Sequence, residues 1–381
     1  MAFSDSSFDE LLFEGKSSVK KVILNRPEKM NSMTFEMVSQ MLKKFKVYEN
    51  DSTVKFVILK GNGRGFCSGG DIRLLYKYTT AGHWSFAARF YKNILTLNYL
   101  LATYQKPLVA IINGIVMGGG AGMSMYAKFK IVSENTVFAM PEAGIGHFPD
   151  TGATHFLSRL PGYFGEYLGL TGSMISGAEM VACGLATHFV LSKDLHLLEN
   201  ALEELSSSDT TAISHLIRKF VPEKLEKQDN FYNRLQIINE CFSRETVEDM
   251  LLAFEKQKEI YGEEKWIVEA INSMKSACPN SLKICLRSIR DGRSKSYEEC
   301  LVDEYTIYCH ILRRTVNGDF FEGLRAKVID KDNKPKWQHP KLEQVTDEIV
   351  DRYFSKVDED DWEFLQLPPR PKVFDFVTPK L

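Results

Sequence analysis

Short β-branched runs that alternate with longer amphipathic stretches constrain the fold of this chain more than any other feature. Val19 to Leu24, Val54 to Leu59, Leu108 to Ile112 and Lys128 to Val132 read as strands. Between them, Thr34 to Tyr48 places Phe35, Val38, Met41, Leu42 and Phe45 at helical spacing, and a second helix is expected from Trp84 to Thr103. Strands linked by crossover helices are the pattern of an α/β layer fold. The pattern changes at Ser206-Ser207-Ser208-Asp209-Thr210-Thr211, a polar segment rich in helix-capping residues. Beyond it the chain turns to charged, amphipathic helix, with candidates at Arg244 to Tyr261, Lys265 to Ala277 and Tyr297 to Arg313. A length of 381 residues is long for one core, so two units are expected, residues 1–208 and residues 209–381. The last stretch, with Pro335, Pro340, Pro368, Pro369 and Pro371, is expected to be an irregular tail that wraps over another part of the molecule or is partly mobile.

Charge and cysteine usage exclude several function classes. A formal net charge of -2 provides no global basic field for nucleic acid or anionic membrane, so neither partner is expected. No run approaches the ~18 consecutive apolar residues of a membrane span. The seven cysteines are scattered and contain no C-x-x-C pair, which points to reduced, buried thiols and no metal site. The first ten residues carry acids early, with neither an apolar signal run nor an Arg-rich amphipathic presequence, so secretion and standard mitochondrial import are not expected.

Three glycine-rich or acidic clusters that follow one another carry the chemistry, the first two directly after strands. The first, Gly61-Asn-Gly-Arg-Gly-Phe-Cys-Ser-Gly-Gly-Asp-Ile-Arg73, is dense enough in glycine for backbone N–H groups to face a ligand unobstructed. Taken alone it is equally a tight turn with no ligand, and it is neither a dinucleotide fingerprint nor a P-loop. The second, Asn113-Gly-Ile-Val-Met-Gly-Gly-Gly-Ala-Gly122, precedes a helical pattern and places free first-turn N–H groups at a positive helix end; the same glycines would also serve close helix packing. The third, Met140-Pro-Glu-Ala-Gly-Ile-Gly-His-Phe-Pro-Asp150, interrupts two carboxylates with Gly144, Gly146 and Pro149, so Glu142 and Asp150 sit on a loop able to aim both at one point. Asp150 is alternatively an N-cap and Glu142 a solvated turn acid. An acid beside Ile145 and Phe148 in an apolar pocket would have its charged form disfavoured and become useful for proton transfer.

In this order, and with Leu24-Asn-Arg-Pro-Glu-Lys-Met-Asn31 ahead of them, the clusters resemble the crotonase (enoyl-CoA hydratase/isomerase) superfamily, and within it the 3-hydroxyisobutyryl-CoA hydrolase branch. The likeness covers residues 10–205, and Asp319-Phe-Phe-Glu-Gly-Leu-Arg-Ala-Lys-Val-Ile-Asp-Lys-Asp332 resembles that branch's C-terminal region. The resemblance implies a ββα spiral core with a helical C-terminal region. It implies hydrolysis of a short acyl-CoA thioester of the kind met in valine catabolism, 3-hydroxyisobutyryl-CoA or a related 3-hydroxyacyl-CoA, with coenzyme A arriving as part of the substrate and no other cofactor. Carried over by residue, it puts the oxyanion hole on the N–H groups of Ser68 and Gly119, the CoA-adenine loop on Ser68, Gly69, Gly70 and Asp71, and a phosphate contact on Lys29. Glu142 would activate water or attack directly, and Asp150 would orient it and help deliver a proton to the leaving thiolate.

Hydratases of the superfamily carry one of their two glutamates where this chain has Gly122, and a Gly where it has Asp150, which moves the chemistry from C=C hydration to thioester cleavage. The competing readings are an enoyl-CoA hydratase or isomerase, against which Gly122 argues, and a non-catalytic acyl-CoA-binding protein, against which Glu142 and Asp150 argue. Two positions depart from the hydrolase pattern. Ile94 stands where those enzymes usually have an acid, and His147 where they usually have an apolar residue; His147 reads first as an outward-facing loop residue and second as a polar group near the acyl pocket. Homo-oligomerisation is implied too, trimers being common in the superfamily, unless the C-terminal extension covers that surface. The terminal Pro379-Lys380-Leu381 resembles the Ser-Lys-Leu class read by peroxisomal import receptors, so such a receptor is an expected partner and the peroxisome, with the cytoplasm as alternative, the expected location.

Overall fold

The computed structural model describes residues 9–15, 18–223, 228–262, 264–356 and 364–371. Its first half holds β1 (Leu11–Glu14), β2 (Val19–Leu24), α1 (Phe35–Asn50), β3 (Phe56–Gly61), β4 (Gly65–Cys67), α2 (Ile72–Ala81), α3 (Trp84–Ala102), β5 (Leu108–Ile112), β6 (Ile115–Met117), α4 (Gly119–Ser124), β7 (Phe129–Val132) and β8 (Val137–Ala139). There follow α5 (Ala153–Leu157), α6 (Phe164–Thr171), β9 (Ile175–Ser176), α7 (Gly177–Ala182), β10 (His188–Phe189) and α8 (Leu195–Glu204). The remainder is helical: α9 (Thr210–Arg218), α10 (Gln228–Phe242), α11 (Val247–Tyr261), α12 (Lys265–Ser276), α13 (Pro279–Gly292), α14 (Tyr297–Arg313), α15 (Asp319–Leu324) and α16 (Asp347–Phe354).

Successive strands go alternately to two sheets. β3, β5 and β7 lie in a six-stranded sheet of order β1-β2-β3-β5-β7-β10, parallel but for the β1/β2 pair. β4, β6 and β8, each the next strand along, lie in a four-stranded sheet of order β4-β6-β8-β9, where only β9 is antiparallel. Strand, strand and helix therefore repeat, which is the ββα spiral the resemblance implies.

The large sheet is covered on both faces, and this is why its strands read as unbroken apolar runs. Val57 and Leu59 of β3 and Leu108, Ala110 and Ile112 of β5 face the main core, whereas Phe56, Ile58, Val109 and Ile111 face a smaller cluster closed by Leu198 and Leu202 of α8 and Ile213 and Ile217 of α9. Side chains that alternate along a strand bury both sets only with a layer on each side. Asp209 begins the helical region by accepting from the N–H of Thr211 (2.9 Å) and so capping α9. From α10 onward the helices contribute to the main core, which runs from Leu11 to Leu365. Among the described residues, the segment expected to be an irregular tail includes the α-helix α16, which follows Thr346 and is buried through Val350 and Tyr353. Farther on, Leu365 is buried and Leu367 packs against the main core, so the described part of the tail does wrap over the molecule. No helix among the described residues is long and apolar enough to cross a membrane.

Candidate active site

The smaller sheet assembles the site. β4, β6 and β8 are parallel neighbours, in register at Cys67↔Val116 and Met117↔Ala139. Their C-terminal ends therefore lie side by side, and the segment leaving each carries one of the three clusters: Ser68 to Asp71, Gly118 and Gly119, and Pro141 and Glu142. These segments line one cavity of about 230 Å³, together with Asp150 and the apolar walls of Phe90, Ile94, Ile145 and Phe320.

Gly118 turns the chain from β6 into α4. Its φ of +50 lies in the left-handed region, and a Cβ added there would stand 3.1 Å from Glu142 Oε1. The φ favours glycine, and any side chain would crowd the Glu142 carboxylate. Gly119 then opens α4, and its N–H, being in the first turn, has no partner within the helix. The matching donor on the first loop is not the expected one. The N–H of Ser68 already donates to the carbonyl of Met30 at 3.0 Å, so it is not free to hold a substrate oxygen. Met33 pairs with Gly70 as an isolated parallel bridge in which Met33 donates to Gly69 and Asp71 donates to Met33. In that pattern the intervening N–H of Gly70 points away from Met33, and it makes no backbone hydrogen bond among the described residues. Gly70 N stands 3.6 Å from where a Gly119 Cβ would be, so these two backbone donors are neighbours.

Of the other residues expected on this loop, Gly69, Gly70 and Asp71 line the cavity. The Asp71 carboxylate is engaged elsewhere, accepting from Leu74 N (3.2 Å) as the cap of α2 and pairing with Arg26 at 3.2 Å. Lys29 is exposed in the turn before Met30 and lies outside the cavity lining.

Glu142 and Asp150 do converge on the cavity. Glu142 is buried and its Oε2 has no hydrogen-bond partner among the described residues. Burial, with the charge of Asp150 second, pushes its carboxyl well above the usual carboxylate range. Asp150 is buried as well and does not cap α5: its backbone carbonyl, not its side chain, accepts from Ala153 N. The cap comes from α14, where buried Glu304 accepts from Gly152 N (2.7 Å) and Thr154 N (3.1 Å). Burial, and then Asp150's charge, raises Glu304 to about 8.

The Asp150 carboxylate accepts instead from His147 Nε2 at 3.0 Å. His147 is buried in the cavity wall, 5.0 Å from the Phe320 ring centroid and 5.3 Å from that of Tyr308, which corrects the outward-facing expectation. The loop is turned inward because α14 and α15 cover it. Ile94 also lines the cavity, and Tyr91, one helical turn earlier on α3, stands beside it with a buried hydroxyl. Sequence reasoning passed over Tyr91, Glu304 and Tyr308. Tyr91 was within reach, since a residue at i−3 from Ile94 shares its helix face.

At Gly122 the structure gives a steric reason for the missing carboxylate. A Cβ there would lie 2.4 Å from the Thr151 carbonyl and 2.5 Å from Asn98 Nδ2, which itself donates to Thr151 O at 3.1 Å. No side chain fits at this position without moving the turn that carries Asp150.

A model of the enoyl-CoA hydratase/isomerase family matches residues 19–354. The chain is 47% identical over 372 residues to 3-hydroxyisobutyryl-CoA hydrolase 1 of Arabidopsis thaliana, covering 97% of each. It is 37% identical to the mitochondrial 3-hydroxyisobutyryl-CoA hydrolase of Rattus norvegicus, over 93% of this chain and 91% of that one. A crystal structure of a carnitinyl-CoA dehydratase from Mycobacterium thermoresistibile is similar at a TM-score of 0.84 and 32% identity, over 94% of this chain and 98% of that chain.

Proposed function

We propose that this chain, which belongs to the enoyl-CoA hydratase/isomerase family, hydrolyses the thioester of a short 3-hydroxyacyl-CoA, 3-hydroxyisobutyryl-CoA being the ester its relatives' names specify. The observation that carries the reading is the pairing of Glu142 with Asp150 on one cavity beside two unpaired backbone donors, while Gly122 has no room for the second glutamate of a hydratase.

In this reading the N–H groups of Gly70 and Gly119 hold the thioester oxygen, a donor of this kind contributing about 2.7–4 kcal/mol in the transition state. Glu142 takes a proton from water as the water oxygen adds to the carbonyl carbon. The C–S bond then breaks, the acid is released, and the thiolate of coenzyme A takes a proton from the carboxylate pair. If Glu142 attacks directly, the intermediate is an anhydride that one water cleaves, with the same net balance. Asp150, held by His147, orients Glu142 and shares its proton. Nothing beyond the substrate's own coenzyme A is needed. Gly69 and Asp71 form the neighbouring CoA-adenine loop, Ser68 shapes it through its bond to Met30, and Lys29 supplies a cation near its outer edge.

Glu142→Gln removes the base or nucleophile at constant volume, and thiol release from 3-hydroxyisobutyryl-CoA is expected to fall below a few per cent of the unaltered chain, with CoA binding kept; retained turnover would refute the assignment.

For location we propose the peroxisome on the strength of Pro379-Lys380-Leu381, residues outside those the structure describes. A fluorescent protein fused ahead of the last ten residues is expected to enter peroxisomes and to lose that location on deletion of Lys380 and Leu381. Diffuse fluorescence from the intact tail would exclude it.

A further inference from the structure

The acyl end of the cavity contains polar atoms that the free protein leaves unsatisfied. The Tyr91 hydroxyl and His147 Nδ1 are both buried, and neither makes a hydrogen bond of normal geometry among the described residues. They belong to one constellation: the Tyr91 ring stacks on Tyr308 at 3.8 Å, the His147 ring meets Tyr308 edge-on at 5.3 Å, and both side chains stand beside Asp150. The apolar part of the wall includes Phe90, Ile94, Ile145 and Phe320, and Ile94, one turn from Tyr91, has nothing polar to offer. Buried polar atoms are nearly always paired, so these two orphans, which stand on the cavity in addition to Glu142 Oε2, call for a polar group on the ligand.

The chemistry of the orphans is complementary. His147 donates Nε2–H to the Asp150 carboxylate, and in a neutral imidazole this leaves Nδ1 with a bare lone pair, an acceptor. The phenol of Tyr91 is a donor. We infer that Tyr91 and His147 together read the 3-hydroxyl of the acyl group, which donates to Nδ1 and accepts from the phenol. They thereby replace the acid that Ile94 lacks. The inference rests on the hydrolase reading of this site. An acyl group without the hydroxyl would leave both atoms unpaired in the closed complex, and sites built to bind a hydroxyl reject analogues lacking it far more strongly than apolar pockets reject a missing methylene.

The test compares kcat/KM for thiol release from 3-hydroxyisobutyryl-CoA and isobutyryl-CoA, which differ by one hydroxyl, using the full chain and its Tyr91→Phe and His147→Leu variants. His147→Leu also removes Asp150's partner and lowers turnover of both esters, so the quantity read is the ratio. The unaltered chain is expected to prefer the hydroxylated ester by roughly 10,000-fold, and each variant to reduce that ratio at least about tenfold. Tyr91→Phe keeps the ring and its stacking, so it decides the matter alone if His147→Leu does not fold. A ratio near one in the unaltered chain, or one unchanged in a folded Tyr91→Phe variant, overturns the inference. Absence of thiol release from either ester would overturn the hydrolase reading, and this inference with it.

Discussion

At Glu142 two effects act in the same direction. Removal of water disfavours the carboxylate, and the negative charge of Asp150 disfavours it further, so the side chain holds its proton to a higher pH than a free glutamate. A base or nucleophile must be ionised, and turnover therefore rises as the pH climbs through this raised value. Asp150→Asn removes the second effect and leaves the first. We expect kcat/KM to fall by about 100-fold or more, and the acidic limb of its pH profile to move to lower pH while staying above the ordinary carboxylate range. A limb that stays in place would mean that the two carboxylates are not coupled. The melting temperature should change little, because Glu304 and not Asp150 caps α5. The two acids were legible because Gly144, Gly146 and Pro149 deny them a common helix. The choice between Ser68 and Gly70 was not, since a free N–H is decided by the pairing of Met33 with Gly70 and of Met30 with Ser68, contacts distant in sequence. His147 was misjudged for a related reason: which side of a loop faces inward depends on what covers it, and here that is Tyr308 and Phe320.

Elements that are long and bury one pattern of residues could be read with their bounds. β2 and β5 lie where expected, α3 ends one residue short of the expected Thr103, and α14 spans the expected Tyr297–Arg313. β3 is displaced, from the expected Val54 to Leu59 to the observed Phe56–Gly61, because a strand buried on both faces gives a continuous apolar run without a periodic signal at its ends. The smaller sheet was illegible as a sheet. β4, β6 and β8 are three residues each and β9 two, too short for any period to show. Yet this sheet aligns the three clusters, so the order of the clusters along the chain conveyed what their strands did not. In α14 the helix was legible and its purpose was not. Glu304 and Tyr308 are four residues apart and hence on one face, where the first pins the turn after Asp150 and the second backs His147. The helical half of the chain thus contributes groups to a site whose unpaired backbone donors, at Gly70 and Gly119, lie in the first half.

On the scale of the whole molecule the tail performs a comparable service at a distance from the cavity. α1 and α3 both end without a basic residue in the last turn, although a helix C-terminus favours a cation, and α1 carries Glu49 in its last turn, which is unfavourable there. Arg370 supplies the charge to both. Its guanidinium pairs with Glu49 at 2.6 Å and donates to Thr103 Oγ1 at 2.5 Å and to the Thr103 carbonyl at 3.2 Å, while Leu365 is buried in the main core. The Arg370 and Glu49 side chains are only 14% and 10% exposed, so this pair is not screened as a surface ion pair would be. The prolines forecast a wrapping tail but could not say what it wraps, because that contact joins residues from opposite ends of the chain. Arg370→Ala is expected to destabilise the fold by about 1–3 kcal/mol, seen as a fall of a few degrees in Tm. Glu49→Ala should act similarly, and the double variant should lose less than the sum of the two, as coupled partners do. Strictly additive losses would show that Arg370 acts only through Thr103 and the end of α3. Because α3 also carries Tyr91 and Ile94, the same variants report whether securing its far end matters to the cavity. If the strap only stabilises, kcat/KM for the hydroxylated ester is unchanged below the melting transition; if it positions α3, the preference for that ester over isobutyryl-CoA declines together with Tm.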